Sequence, residues 1–190
     1  MDNEKQKKEI LKTLEFLQQQ KQTLTSWSVT WLQGRLLSEL VSLYSPKKIL
    51  ELGTSVGFST LWMAYSMSDS SSLTTIEIDS KRYSSSKEMF LRLSLDDRIN
   101  SLEGDFFKIS DSMKQHAPYD FVFIDALQPR YLEVIEFLRS SNFVSSNCVF
   151  VCDNINSHSY MNAFVEKISS QATFCELLDI DSGFLVFSFN

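Results

Sequence analysis

Short apolar runs recur along the chain, and a stretch of helix length follows each of the first five. The runs cover residues 48–52, 73–78, 99–103, 119–125, 147–153, 173–180 and 183–189. Residues 121–124 and 148–152 are apolar at every position, which is typical of strands covered on both faces of a parallel sheet. Strands that alternate with helices predict an α/β fold with a doubly wound, mostly parallel sheet of seven strands.

The stretches between these runs predict the helices and the edge of the sheet. Pro46 ends the second of seven predicted helices, which cover residues 4–20, 28–44, 58–67, 81–93, 107–115, 130–139 and 158–169. Residues 181–183 (Asp-Ser-Gly) are typical of a hairpin turn, so the last strand is expected to run antiparallel to its neighbours. The 190 residues predict a single domain, with N-terminal helices over residues 1–45 and a sheet core over residues 46–190.

Composition narrows the class of protein and the partners it can have. The net charge is −6, whereas proteins that bind duplex nucleic acid usually carry a basic surface. No apolar run approaches the ~20 residues of a membrane-spanning helix, and the N-terminal segment does not have the pattern of a secretory signal. The cysteines Cys148, Cys152 and Cys175 lack a second close pair, which disfavours zinc and favours a reducing compartment. We therefore expect a cytoplasmic protein with no membrane or duplex DNA partner.

Acidic residues lie at the ends of the first five predicted strands. They are Glu51, Glu77 with Asp79, Asp105, Asp125 and Asp153. Three of the five glycines, Gly53, Gly57 and Gly104, also follow strands. Any one of these acids could cap a helix, but all five together favour a binding crevice outside the carboxyl ends of the sheet.

The turn over residues 51–59 is the sharpest local signal. Gly53 allows the chain to turn steeply off the strand, and Gly57 is expected to let a ligand approach the backbone. The turn lacks the third glycine of the dinucleotide fingerprint and the Gly-Lys of a P-loop. Glu77, 20 residues beyond Gly57, could accept both hydroxyls of a ribose. The pattern predicts an adenosine ligand without a diphosphate.

Asp125, Asp153 and Asn154 form a second candidate site. The two acids end strands that are neighbours in a doubly wound order, and Asn154 adds a carbonyl oxygen. Three oxygen ligands suit a hard divalent ion such as Mg²⁺. Asp153 and Asn154 are also good caps for the following helix, and spacing alone leaves the two interpretations equal.

An ordered set of motifs resembles the class I S-adenosylmethionine (SAM)-dependent methyltransferases, which have a Rossmann-like fold. More narrowly, from about Leu24 to the C-terminus the chain is similar to the short bacterial type of the metal-dependent O-methyltransferases related to catechol and caffeoyl-CoA O-methyltransferases. The motifs are residues 49–60 (ILELGTSVGFST), 75–79 (TIEID), 103–106 (EGDF), 123–126 (FIDA) with Tyr131, and 151–154 (VCDN). The ordered set is specific, although no single motif is.

The resemblance implies a role for each matching residue. Glu51 would bind the methionyl amino group of SAM, and Ser59 would bind its carboxylate. Glu77 would bind the ribose, and Ile78 would lie against the adenine. The other implied cofactor-binding residues are Gly53, Thr54, Ser55, Gly57, Phe58, Gly104, Asp105, Phe106 and Asp125. Asp125, Asp153 and Asn154 match the metal ligands of the family, which favours the metal over the cap.

One departure from the family bears on catalysis. Many members have a lysine three residues after the first metal aspartate, where this chain has Gln128. An amide has no proton chemistry near neutral pH, so Gln128 can orient an acceptor but cannot act as a base. A metal would then have to lower the pKa of the acceptor hydroxyl, or Asp125 would have to accept the proton.

The resemblance implies an enzyme that methylates a hydroxyl of a small molecule or of a modified RNA base, acting as a homodimer. The alternatives are a metal-independent methyltransferase of the same fold and a non-catalytic module that binds SAM; a nicotinamide dehydrogenase is disfavoured. Trp27 and Trp31 could border the active site, although core packing is the stronger expectation for both. His158 could reach the acceptor, but a place at a helix start is preferred.

Overall fold

Helices and strands alternate along the chain much as the apolar pattern predicts. A computed structural model describes residues 3–21 and 29–189. Within them the helices are α1 (Asn3–Lys21), α2 (Trp31–Tyr44), α3 (Phe58–Ser66), α4 (Ser80–Arg92), α5 (Ser110–Lys114), α6 (Tyr131–Ser140) and α7 (Met161–Ser169). The strands are β1 (Lys48–Leu52), β2 (Ser72–Glu77), β3 (Ile99–Glu103), β4 (Tyr119–Ile124), β5 (Val144–Cys152), β6 (Phe174–Leu178) and β7 (Phe184–Ser188).

The seven described strands form one sheet in the order β3-β2-β1-β4-β5-β7-β6. The first five are parallel, and β7 runs antiparallel to both β5 and β6, which confirms the predicted hairpin. β1 and β4 lie side by side, with Leu52 paired to Ile124. Because the strand order reverses there, the carboxyl ends of these two strands diverge around a crevice.

Both faces of the sheet are covered, as the unbroken apolar runs predict. Ile49, Phe121 and Phe123 pack with α1 to α4 on one face, whereas Leu50 and Val122 pack with α5 to α7 on the other. Successive strand residues alternate between faces, so a strand that is buried on both sides has apolar residues at nearly every position. Among the described helices, none is long and apolar enough to cross a membrane.

Several element boundaries differ from the prediction for local reasons. Helix α2 begins at Trp31 rather than residue 28, because Thr30 and Gln33 form a capping box. Helix α5 begins at Ser110 rather than residue 107, since the Asp105 carboxylate accepts a hydrogen bond from the Phe107 amide and holds a turn there. Helix α7 begins at Met161 instead of residue 158, and β5 begins at Val144 instead of residue 147.

Candidate functional site

A cavity of about 830 Å³ lies at the carboxyl ends of the parallel strands. Its size is in the range expected for a pocket that encloses a small molecule. Its lining includes eleven of the residues predicted from the sequence: Gly53, Ser55, Glu77, Ile78, Gly104, Asp105, Phe106, Asp125, Gln128, Asp153 and Asn154. Acids at the ends of five strands were expected to meet in one crevice. The acids of four of these strands line the cavity: Glu77, Asp105, Asp125 and Asp153.

Two of the predicted acids lie outside the cavity lining: Asp79, whose side chain caps α4, and Glu51. The Glu51 side chain is 0% exposed and does not line the cavity, because alternation along β1 turns Leu52 toward the cavity instead. The Glu51 carboxylate accepts hydrogen bonds from the hydroxyls of Ser59 at 2.6 Å, Thr60 at 2.5 Å and Thr75 at 2.6 Å. In this arrangement Glu51 and Ser59 bond to each other, and their contact with the methionyl group of a ligand stays a prediction.

Burial raises the pKa of Glu51 to about 7, and the three hydroxyl hydrogen bonds only partly oppose that rise. Above this pH the Glu51 carboxylate is buried in its charged form. Between the ordinary pKa of the unfolded chain and about 7, the native state binds more protons than the unfolded state, so stability falls as pH rises through this window.

Replacing Glu51 by glutamine should flatten this pH dependence, because the amide stays neutral in both states. From pH 5 to pH 8 the wild-type protein should lose about 2 kcal/mol more of its unfolding free energy than Glu51→Gln loses. Urea unfolding at the two pH values measures the difference. The same substitution at Glu39, which is exposed on α2, should keep the wild-type slope, and a parallel slope for Glu51→Gln would contradict the assignment.

Gly53 and Gly57 are required for packing between elements of the fold. Gly53 has φ +101°, and a Cβ there would lie 2.1 Å from the backbone oxygen of Asp125. Gly57 has φ +81°, and a Cβ there would meet Met89 at 2.6 Å. The close approach at Gly57 in this structure is therefore to α4, and the approach of a ligand to its backbone stays a prediction. Thr54, Gly57 and Phe58 also lie outside the cavity lining.

Glu77 is held in place at one end of the cavity. It is 4% exposed, and its carboxylate accepts hydrogen bonds from the backbone amides of Ser55 at 2.7 Å and Asp79 at 2.9 Å. Arg82 donates to the same carboxylate at 2.8 Å. Ile78, 66% exposed, and Phe106 lie at this end of the lining and offer apolar surface.

Asp125, Asp153 and Asn154 lie together at the other end of the cavity. The Asn154 side-chain amide donates to Asp125 at 2.8 Å, and the Asn154 backbone amide donates to Asp153 Oδ1 at 2.6 Å. Asp153 Oδ1 also accepts hydrogen bonds from Gln33 Nε2 at 2.9 Å and Ser182 Oγ at 2.7 Å. Asp153 is thus part of a network and does not cap a helix, since α7 begins eight residues later.

Gln33 and Ser182 were not predicted from the sequence. Gln33 is 1% exposed, yet it lines the cavity from α2, and it donates to both Asp153 and Ser182. The capping box of Thr30 and Gln33 was a local signal for the start of α2, and the hairpin turn was a signal for Ser182. Neither signal indicates that the two residues meet at a strand end 120 residues from Gln33.

The donor set of Asp125, Asp153 and Asn154 fits a hard divalent cation. Within the described residues no cluster of three or more His, Cys, Asp or Glu side chains could hold a metal, so the third ligand would have to be the Asn154 amide. The side-chain oxygen and nitrogen of Asn154 are nearly isosteric. A half-turn of the amide group would therefore bring its oxygen to face a cation at Asp125. Gln33 and Ser182 supply the outer hydrogen bonds that usually orient ligating carboxylates.

The remaining candidates divide between the cavity and the core. Gln128 and His158 line the cavity, as does Tyr131 of the matched motif. Trp31 packs edge-on against Trp62 with ring centroids 4.9 Å apart and lies outside the cavity lining, in agreement with core packing. The prediction for Trp27 lies outside the described residues.

The sequence matches one family. A family model described as O-methyltransferase matches residues 1–179. The chain belongs to the O-methyltransferase family. It is 34% identical over 131 residues to the catechol O-methyltransferase of Niastella koreensis, a match that covers 67% of this chain and 58% of the relative. It is 29% identical over 111 residues to the caffeoyl-CoA O-methyltransferase of Stellaria longipes, covering 56% of this chain and 46% of that protein.

Solved structures of O-methyltransferases share the fold of this family member. The O-methyltransferase from Bacillus cereus in complex with SAH aligns with a TM-score of 0.78 at 23% identity, covering 98% of this chain and 91% of that one. TomG from Streptomyces achromogenes, in complex with SAM, aligns with a TM-score of 0.76 at 22% identity, covering 91% and 86%. The matched segments span only about half the length of the two curated relatives.

Proposed function

We propose that this protein transfers a methyl group from SAM to a hydroxyl oxygen of a small molecule or a hydroxylated RNA base, with the help of a divalent cation. One observation carries the proposal: a single cavity holds an oriented carboxylate, Glu77, at one end and the Asp125 and Asn154 pair at the other. An adenosine at the first end would place a reactive sulfonium near the second.

The Glu77 end suits the nucleoside. Two backbone amides and Arg82 fix the carboxylate, so it could accept hydrogen bonds from both ribose hydroxyls without rearranging its backbone partners. Ile78 and Phe106 give the adenine an apolar contact, as pockets for planar ligands usually do. The sequence offers no P-loop lysine for a diphosphate, which agrees with a nucleoside ligand.

Asp125, Asp153 and Asn154 would hold the cation. Bound there, a divalent ion would supply electrostatic stabilisation of negative charge on the acceptor oxygen. Gln33 and Ser182 would keep the Asp153 carboxylate in its orientation through the hydrogen bonds that they already donate.

The reaction itself requires mainly alignment. The acceptor oxygen attacks the methyl carbon in line with the carbon–sulfur bond, and that bond breaks to leave a neutral thioether. Because the sulfonium is already activated, holding the two reactants in contact accounts for most of the acceleration. The cavity walls from β1, β4 and β5 supply that alignment, since their ends are fixed by sheet hydrogen bonds.

Incubation with methyl-labelled SAM and a cell extract tests the proposal directly. We expect a labelled product, a yield that falls at least tenfold with chelator, and a similar loss in Asp153→Ala. Asp120→Ala, at the opposite end of β4 where it binds the Lys47 and Lys48 amides, is the control for replacing an aspartate. Transfer that resists chelation and Asp153→Ala would show a metal-independent enzyme, and SAM binding without transfer would show a non-catalytic module. Light scattering would test the expected homodimer.

A further inference from the structure

We infer that His158 is the catalytic base that removes the proton from the acceptor hydroxyl. The inference rests on the proposed function, because it assumes that an oxygen is methylated in this cavity. A neutral hydroxyl is a weak nucleophile, and a positioned base activates it. His158 is the one histidine among the described residues that line the cavity.

His158 lies in the turn before α7, as preferred from the sequence, because its backbone oxygen accepts a hydrogen bond from the Met161 amide at 3.0 Å, and its side chain also lines the cavity. The turn lies in the segment between β5 and α7, and α7 has Tyr160 as its N-cap with no side-chain capping bond. The His158 ring instead stacks on the Tyr160 ring, with centroids 5.1 Å apart and planes 14° from parallel. A side chain that faces a cavity without capping a helix is available to a ligand.

Tyr160 connects His158 to the segment after β4. Its hydroxyl lies 3.5 Å from Gln128 Oε1, as a long hydrogen bond. Gln128 is three residues after Asp125 and lines the same cavity. His158 and Gln128 thus border the acceptor end of the cavity, with Tyr160 in contact with both, and an imidazole is the side chain of this group suited to general-base catalysis.

The other proton acceptors at this end already have partners. In the proposed function Asp125 and Asp153 would hold the cation, and Asp153 Oδ1 also accepts hydrogen bonds from three donors. The Tyr131 hydroxyl donates to the backbone oxygen of Asp153 at 3.3 Å. His158 is exposed, so it can return its proton to water after each turnover. The charged and titratable groups around this end are Asp125, Arg130, Tyr131, Asp153, Tyr160, Asp179 and Asp181.

The step balances without a further reactant. The acceptor O–H proton passes to an imidazole nitrogen of His158 as the oxygen forms its bond to the methyl carbon and the carbon–sulfur bond breaks. The sulfonium becomes a thioether, the acceptor becomes a methyl ether, and the imidazolium then releases its proton to solvent.

The chain has two histidines, which supplies a matched control. We expect His158→Gln to lower kcat about 100-fold on the acceptor isolated with labelled SAM, while SAH affinity measured by calorimetry stays within twofold. His116→Gln, beyond α5 and outside the cavity lining, should keep the wild-type kcat. The fall of wild-type kcat at acidic pH should disappear in His158→Gln, and added imidazole should restore part of the rate of His158→Ala.

A kcat of His158→Gln within threefold of wild type, or an unchanged pH profile, would overturn the inference while leaving the proposed function intact. An equal loss in His116→Gln would overturn it too, since the effect would then not belong to the cavity. Absence of methyl transfer by the wild-type protein would overturn the proposed function, and this inference with it.

Discussion

Gly53→Ala should be the most damaging single substitution near the cavity. A methyl group at this position would lie 2.1 Å from the backbone oxygen of Asp125, and the backbone has φ +101°. Main chain cannot move aside as a side chain can, so β1 and β4 would have to separate at their carboxyl ends. Strain of this kind and overpacking each cost about 1–3 kcal/mol, and we expect a loss of about 3 kcal/mol with a melting temperature about 10 °C lower.

Ser55→Gly provides the matched control in the same turn. Ser55 has φ +47°, a conformation that glycine adopts more easily, so this variant should melt within about 2 °C of wild type. Differential scanning calorimetry of the two variants separates a specific contact at Gly53 from general sensitivity of the turn. If Gly53→Ala melts together with Ser55→Gly, the close approach of the two strands is not a constraint on this fold.

The fold could be predicted because its signals are local. Strands such as residues 121–124 are apolar at every position, which is how strands covered on both faces appear in a sequence. The hairpin before β7 follows from the turn residues 181–183. Strand boundaries at β1 and β3 agree with the prediction because a turn or a glycine lies directly beside each. Helices α5 and α7 were predicted too long, since side-chain hydrogen bonds and turns at their starts leave no periodic signal.

The site could be predicted only in part, because contacts between residues distant in sequence determine which side chains face the cavity. The residues just beyond the strand ends, such as Asp125, face the cavity as expected, since the end of a parallel strand fixes where they lie. Glu51 lies one position before Leu52, the last residue of β1, and alternation along the strand turns its side chain toward three hydroxyls. Gln33 reaches Asp153 because α2 packs beside the hairpin turn, and no spacing in the sequence encodes that packing.

Glu77→Gln should weaken SAH binding about 100-fold while leaving the fold intact. Hydrogen bonds to a charged acceptor contribute about 1.5–3 kcal/mol each, and an amide offers one acceptor oxygen where the carboxylate offers two. A loss of about 2.7 kcal/mol corresponds to a hundredfold change in Kd. The Gly53 and Thr54 amides donate to the backbone oxygen of Ile76 and not to Glu77, so the loop after β1 should keep its position.

Glu103→Gln is the control for this substitution. Glu103 is the register partner of Glu77 on the adjacent strand β3, but it is exposed and lies outside the cavity lining, so SAH should bind this variant as it binds wild type. Calorimetric titration of both variants, with thermal melts to verify folding, measures the difference. Glu77 is the carboxylate of the described lining that two backbone amides and an arginine hold at once. A Kd for Glu77→Gln within threefold of that for Glu103→Gln would place the ribose elsewhere.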